Sequence, residues 1–174
     1  GSLDVTVVGV GCNNFGRRID PAASAKVVDA ALEAGINFFD TADVYGGASG
    51  RGASEEIIGR WFQQGNGRRD QTVLATKVYG DMTDSGRPNE GGGVSSYKVR
   101  RHAADSLRRL QTDRIDLYQI HHIDLGISLE EFWTTFGRLI ADGDVLYMGT
   151  SNFPGWGLAK YQMHAWQQGM VGFV

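Results

Sequence analysis

The chain is short of everything that would tie it to a membrane, to nucleic acid or to an oxidising compartment. It has one cysteine, Cys12, so an internal disulfide is excluded and a reducing cytoplasm is the expected location. No apolar run approaches the ~20 residues of a membrane-spanning helix, and no membrane partner is expected. The opening Gly-Ser-Leu-Asp has neither the basic region nor the apolar core of a secretory signal peptide. A net charge of −3 lacks the basic excess of a nucleic-acid binder. No metal is expected either. His121 and His122 are adjacent, which on a strand sends them to opposite faces, and no cysteine or carboxylate completes a ligand spacing. Gly9-x-Gly11 opens like a dinucleotide fingerprint, but position 14 is Asn14 and Gly16 comes too late.

Glycine, by contrast, is abundant: 25 of 174 residues, about twice the roughly 7% norm. That suits one domain with many tight strand–helix connections. Val5–Val10 is β-branched and nearly continuous in apolar character, which predicts a strand buried on both faces. Asp20-Pro21 caps a helix that Gly35 stops. Ile36–Phe39 is the next strand, ending at Asp40, and its loop carries Tyr45 and several glycines. Ser54-Glu55-Glu56 opens a helix with acids suited to its dipole. Thr72–Thr76 is a strand ending at Lys77. The stretch Val78–Val94 is longer than an ordinary connection and predicts a lid or binding loop. Val99, Ala103, Leu107 and Leu110 mark a helix, Ile115–Ile120 a strand ending at His121, and Ser128 with Glu131 a capping box. Val145–Met148 leads to Gly149-Thr150-Ser151-Asn152. A last helix packs with Leu158, Tyr161, Ala165 and Trp166, and Val171–Val174 reads as the opening of a sixth strand. His102 and His164 fall on helices and are expected at the surface.

Five βα repeats mean a parallel sheet with helical crossovers, and two α/β folds compete for it. A doubly wound sheet of five strands fits the length. A parallel (β/α)8 TIM barrel typically needs about 250 residues, but it fits the polar groups better. Asp40, Lys77, His121 and Ser151-Asn152 stand at the ends of successive strands, and a barrel brings such ends to one pocket, whereas an open sheet spreads them along a line. The expectation is a TIM barrel truncated after about five βα units, with residues 1–174 as one partial barrel domain.

A phenol has a pKa of about 10, and a nearby ammonium favours its ionised form. Tyr45 beside Lys77, with Asp40 holding the lysine and His121 hydrogen-bonding an incoming oxygen, can deliver a proton to a carbonyl oxygen as charge grows there. The natural partner of such a group is a hydride donor, and Ser151-Asn152 offers a hydroxyl and an amide for a nicotinamide carboxamide. Taken singly, Asp40 also suits a turn cap and Lys77 a Schiff-base lysine. Nothing basic adjoins Cys12, so its thiol is expected to be inert.

Asp-Thr-Ala-Asp-Val-Tyr-Gly at 40–46, Ser-Glu-Glu-Ile-Ile-Gly at 54–59, Leu-Ala-Thr-Lys at 74–77, Ser-Leu-Arg-Arg-Leu-Gln-Thr-Asp at 106–113, Asp-Leu-Tyr-Gln-Ile-His at 116–121 and Gly-Thr-Ser-Asn-Phe at 149–153 together resemble the aldo-keto reductases. The spelling is similar to the branch with bacterial reductases and potassium-channel β subunits. The resemblance implies NADP(H), less often NAD(H), and a small-molecule carbonyl substrate. It implies Tyr45 as proton donor, Lys77 and Asp40 as its tuning pair, and His121 as the carbonyl-orienting group. Gly11, Cys12, Asp40, Ser151 and Asn152 become the expected cofactor contacts. In that family the later strands hold the cofactor phosphates, so self-association or a missing C-terminal half is the expected partner of this chain. A non-catalytic fragment or binding subunit that keeps the fold is the alternative function.

Overall fold

Apolar runs alternating with amphipathic helices dictate a layer of strands covered on one side by helices. The computed structural model describes residues 3–174, so Gly1 and Ser2 of the opening stretch lie outside it. The elements run β1 (Val10–Gly11), α1 (Pro21–Glu33), β2 (Phe38–Asp40), α2 (Ala53–Phe62), β3 (Val73–Val78), α3 (Ser96–Leu110), β4 (Ile115–Ile120), α4 (Leu129–Asp142), β5 (Val145–Thr150) and α5 (Gly155–Gln167). Asp20 caps α1 by accepting the Ala23 N–H at 2.7 Å, with Pro21 at the first helical position. Ser128 caps α4 through the Glu131 N–H at 3.1 Å. Only half of the capping box forms, because the Glu131 carboxylate accepts the Ser96 N–H at 3.0 Å instead.

All strand pairs are parallel, and the strands lie in chain order from β1 to β5. A doubly wound sheet reverses its order at a switch point, and this one does not. The architecture is five βα units of a (β/α) barrel. Phe173 makes a parallel bridge to Met148, and the Val174 N–H donates to the Met148 carbonyl at 3.0 Å, so pairing for a sixth strand begins. Register sets the strand ends in two rows. Gly11 is level with Asp40 and Asp40 with Ala75, while Lys77 is level with Gln119 and Gln119 with Gly149.

Two apolar cores lie between sheet and helices. One packs Phe39 and Leu74 against Val28, Ile58 and Trp61; the other packs Tyr118 and Met148 against Val99, Phe132 and Phe136. α2 and α3 touch through Gly59, where a Cβ would overlap the Arg109 carbonyl oxygen.

Two expectations are corrected here. Only Val10 and Gly11 of the first apolar run pair with β2, and Val5, Val7 and Val8 are 45%, 105% and 62% exposed. Nothing among the described residues covers that side of β1, so β-branched character alone did not bury it. On α5, Tyr161 and Ala165 are buried but Leu158 and Trp166 are exposed, because α4 meets only one side of the helix. Glu55, with Glu56, stands in the first turn of α2, where the dipole favours an acid. It is fully buried, accepting from Arg109 Nε and Thr76 Oγ1, each at 2.6 Å.

Candidate active site

Asp40 is the last residue of β2, and its two carboxylate oxygens are held separately. Oδ2 accepts from Lys77 Nζ at 2.6 Å and Oδ1 from Gln119 Nε2 at 2.7 Å. Lys77, in β3, is nearly buried and also donates to the Thr41 carbonyl at 2.8 Å. Its Nζ lies 3.3 Å from the Tyr45 hydroxyl and 4.8 Å from the centre of that ring. His121, the first residue past β4, brings Nε2 to 3.4 Å from the same hydroxyl. The structure therefore brings Asp40, Lys77, Tyr45 and His121 together around one phenol.

The loop that carries Tyr45 prolongs the β2–β3 ladder. Thr41 N–H donates to the Ala75 carbonyl at 2.9 Å and Asp43 N–H to the Lys77 carbonyl at 3.2 Å. The Ser54 hydroxyl at the start of α2 reaches Thr41 Oγ1 at 2.9 Å and the Cys12 carbonyl at 2.8 Å. Gly46 then turns at φ 149°, where a Cβ would overlap the Gly50 carbonyl. These bonds fix the backbone on both sides of Tyr45, so the phenol is aimed by its loop.

Burial, then the positive charge of Lys77 and the neighbouring His122, lower the His121 pKa below the ordinary histidine value. His121 is therefore neutral near pH 7. His122 does not point away from it as a strand neighbour would. β4 ends at Ile120, both histidines lie in the bend beyond it, and their rings stack with centres 5.1 Å apart. His122 in turn meets the edge of Tyr79 at 5.4 Å.

At the end of β5, the Asn152 side-chain amide donates to the His121 carbonyl at 2.9 Å and to Ser151 Oγ at 3.0 Å, with Asn152 in the left-handed region at φ 55°. The Ser151 N–H donates to the Ile120 carbonyl at 2.8 Å. Asn152 thus ties the end of β5 to the backbone of His121. Gly11 has open space where a side chain would stand. Cys12 lies beneath the rim: its thiol is fully buried in the first apolar core, and burial, with the Asp40 charge, pushes its pKa up. Among the described residues no group of three His, Cys, Asp or Glu side chains is placed to hold a metal ion.

Sequence reasoning missed two groups. Gln119 shares its β4 face with Ile115 and Leu117, and a polar residue on that apolar face was the available signal. His102 is no surface residue; it is 1% exposed, between Asp43 and Glu90. The Val78–Val94 stretch, expected as a lid or binding loop, leaves β3 only after Val78, and its remainder is fastened to α3 through His102 and Glu90.

Strand order, the tyrosine–lysine–carboxylate–histidine cluster and the motifs along the chain converge with one comparison: the model of the Aldo/keto reductase family matches residues 7–173. The chain belongs to that family. It is 46% identical over 173 residues to the uncharacterized oxidoreductase YrpG of Bacillus subtilis, covering 99% of this chain and 53% of that protein. It is 38% identical over 165 residues to an aryl-alcohol dehydrogenase (NADP+) of Phanerodontia chrysosporium, covering 90% of this chain and 41% of that one. The holo form of aldo-keto reductase AKR11C1 from Bacillus halodurans superposes with a TM-score of 0.80 at 34% identity, over 92% of this chain and 51% of the other. The chain spans about half the length of these proteins, or somewhat less.

Proposed function

We propose that a full-length protein carrying this chain reduces an aldehyde or ketone to the alcohol, with Tyr45 as proton donor. The observation that carries this reading is the Tyr45 hydroxyl, which has Lys77 Nζ at 3.3 Å on one side and His121 Nε2 at 3.4 Å on the other. A carbonyl oxygen placed between the phenol and the imidazole accepts a hydrogen bond from each. When bound, a nicotinamide cofactor supplies the hydride that adds to the carbonyl carbon. As the C=O bond electrons move onto oxygen, Tyr45 passes its proton there, and the Lys77 ammonium balances the phenolate left behind. Asp40 and Gln119 hold Lys77 in line. Neutral His121 orients the oxygen and does not compete as an acid.

The end of β5 suits such a cofactor. Asn152 commits its amide N–H groups to His121 and Ser151, which leaves its Oδ1 as an acceptor and the Ser151 hydroxyl as a donor. These complement the NH2 and carbonyl of a carboxamide. Gly11 leaves room at the mouth of β1, and Asp40 lies beside it in register. Cys12 supports this mouth from beneath: its thiol is buried, and its N–H and carbonyl are bonded to the Asp40 carbonyl and the Ser54 hydroxyl. NADP(H) is the form favoured, because the Phanerodontia relative is named for NADP+; NAD(H) is the second choice. That relative's name and the Tyr79–His122 aromatic rim make an aryl aldehyde the first substrate to try, and the lone cysteine supports a cytoplasmic setting.

The test is NADPH consumption with benzaldehyde by the full-length protein, in wild type and in Tyr45→Phe. Loss of about 10²–10⁴-fold in turnover with unchanged quenching of NADPH fluorescence is the expected result. A variant retaining more than half the wild-type rate removes Tyr45 as the proton donor.

A further inference from the structure

The 41–46 loop, which carries Tyr45, and the long 79–94 loop are joined by one buried imidazole. His102 stands on α3. Its Nδ1 is 2.7 Å from Asp43 Oδ2 and its Nε2 is 2.8 Å from Glu90 Oε2. Both carboxylate side chains are fully buried. Each ring nitrogen thus faces one carboxylate oxygen at hydrogen-bond distance, so the imidazole bridges the two buried acids and both of its nitrogens are committed. The Glu90 end is reinforced by Arg101 at 2.6 Å. Lys98, one turn earlier on α3, donates to the Tyr79 carbonyl at 3.0 Å and to the carbonyls of Gly80 and Gly91.

The Asp43 end has no such reinforcement. Asp43 Oδ1 is buried without a partner among the described residues, and His102 is the sole side chain among them that bonds Oδ2. Swinging the Tyr45 loop outward therefore breaks the Asp43–His102 bond and leaves the buried imidazole without one of its two partners, which is unfavourable. α3 holds the long loop by several contacts and the Tyr45 loop by this one.

We propose that His102 is a positioning residue: through Asp43 it sets the loop that aims the Tyr45 hydroxyl at Lys77 and His121, and through Glu90 it couples that loop to the 79–94 wall. Its catalytic consequence rests on the reading of Tyr45 as proton donor, while the mechanical coupling does not. A displacement of about 1 Å in a reacting group can cost ~10²-fold in rate, so a single buried contact suffices to matter.

Hydrogen–deuterium exchange on the full-length protein tests the coupling. His102→Gln should speed exchange in peptides covering 41–46 and 79–94 together, leaving Ile115–Ile120 and Leu129–Asp142 as in wild type. Asp43→Asn should loosen mainly 41–46, and Glu90→Gln mainly 79–94. This pair of variants decides the matter even where His102→Gln does not fold. Unchanged exchange at 41–46 overturns the proposal, and so does equal acceleration in every peptide, since either makes His102 a core residue only. For catalysis, His102→Gln should lower kcat by about 10-fold or more with NADPH quenching retained; turnover within two-fold of wild type overturns the catalytic part. Should the wild-type protein reduce no aldehyde, the carbonyl-reduction reading fails, and the exchange pattern still decides the coupling.

Discussion

Lys77 Nζ lies 2.6 Å from Asp40 Oδ2 and 3.3 Å from the Tyr45 hydroxyl, so one ammonium joins the end of β2 to the loop that follows it. The lysine comes from the neighbouring strand β3. Its charge is enclosed by a carboxylate, a backbone carbonyl and a phenol, and it has little contact with water. Lys77→Met should therefore leave the fold intact while turnover falls by about 10²–10⁴-fold, in keeping with the loss of a charge that stabilises the phenolate. Steady-state rates beside NADPH quenching check this. A fall in cofactor affinity with unchanged turnover would point to Lys77 as a binding group instead.

Gln119→Leu isolates the other half of the Asp40 clamp. Without the 2.7 Å bond to Oδ1, the carboxylate keeps Lys77 but loses its fixed plane. A loss of about 10-fold in turnover is expected, equivalent to about 1.4 kcal/mol, with the thermal midpoint nearly unchanged. A wild-type rate would mean that Lys77 alone orients Asp40.

The acidic limb of stability should carry a signature of His121. Its folded pKa is lowered by burial and by Lys77 and His122. The unfolded chain takes up the proton from about pH 6.5 downward, and the folded chain does so only at lower pH. The unfolded state thus binds more protons in that window, and stability falls as pH falls through it; above it His121 changes nothing. Urea unfolding of wild type and His121→Phe at pH 7.5 and 5.5 should show the wild type losing more on acidification. Equal losses would show that the ring titrates alike in both states. In Lys77→Met the NMR titration midpoint of His121 should move up.

The four residues around the phenol were legible for one reason: Asp40, Lys77 and His121 each stand where an apolar run ends, and Tyr45 follows the first of them in a glycine-rich loop. Parallel strands in chain order then converge such ends. What was missed had a physical cause in each case. His102 lies three residues past Val99 and just before Ala103, on the buried face of α3, so helical periodicity already placed it inside; residue type alone suggested a surface. The opposite-face rule failed for His121 and His122 because the strand stops one residue earlier. Val5, Val7 and Val8 carry the hydrophobicity of a buried strand, but burial needs a neighbour that composition cannot supply.

The α2–α3 contact gives a purely structural prediction. At Gly59 a methyl group would overlap the Arg109 carbonyl oxygen, which belongs to the backbone and cannot rotate away. Gly59→Ala should force the helices apart and cost about 1–3 kcal/mol by overpacking. It should also disturb Arg109, whose Nε holds the buried Glu55. A denaturant midpoint equal to wild type would show that the helices separate freely.

The two edges of the sheet decide how the 174-residue chain behaves alone. Beside β1, Val5, Val7 and Val8 are exposed; beside β5, Leu146, Val171 and Val174 are exposed, next to a groove of about 340 Å3 lined by Trp133, Ile140 and Met170. Each edge also offers unpaired backbone groups. An exposed strand edge with apolar side chains is a template for pairing with another chain. The chain by itself is therefore expected to self-associate at micromolar concentration. Asp40, Tyr45, Lys77 and His121 line one end of this sheet, and water reaching the open side weakens the electrostatic coupling among them. NADPH-dependent aldehyde reduction should accordingly be absent or at least 10²-fold below that of a full-length protein carrying the chain, on the scale of a lost general acid. Sedimentation velocity and turnover measured on the same preparation test both statements. A monomer with the full-length protein's rate would show that five βα units close the site without help.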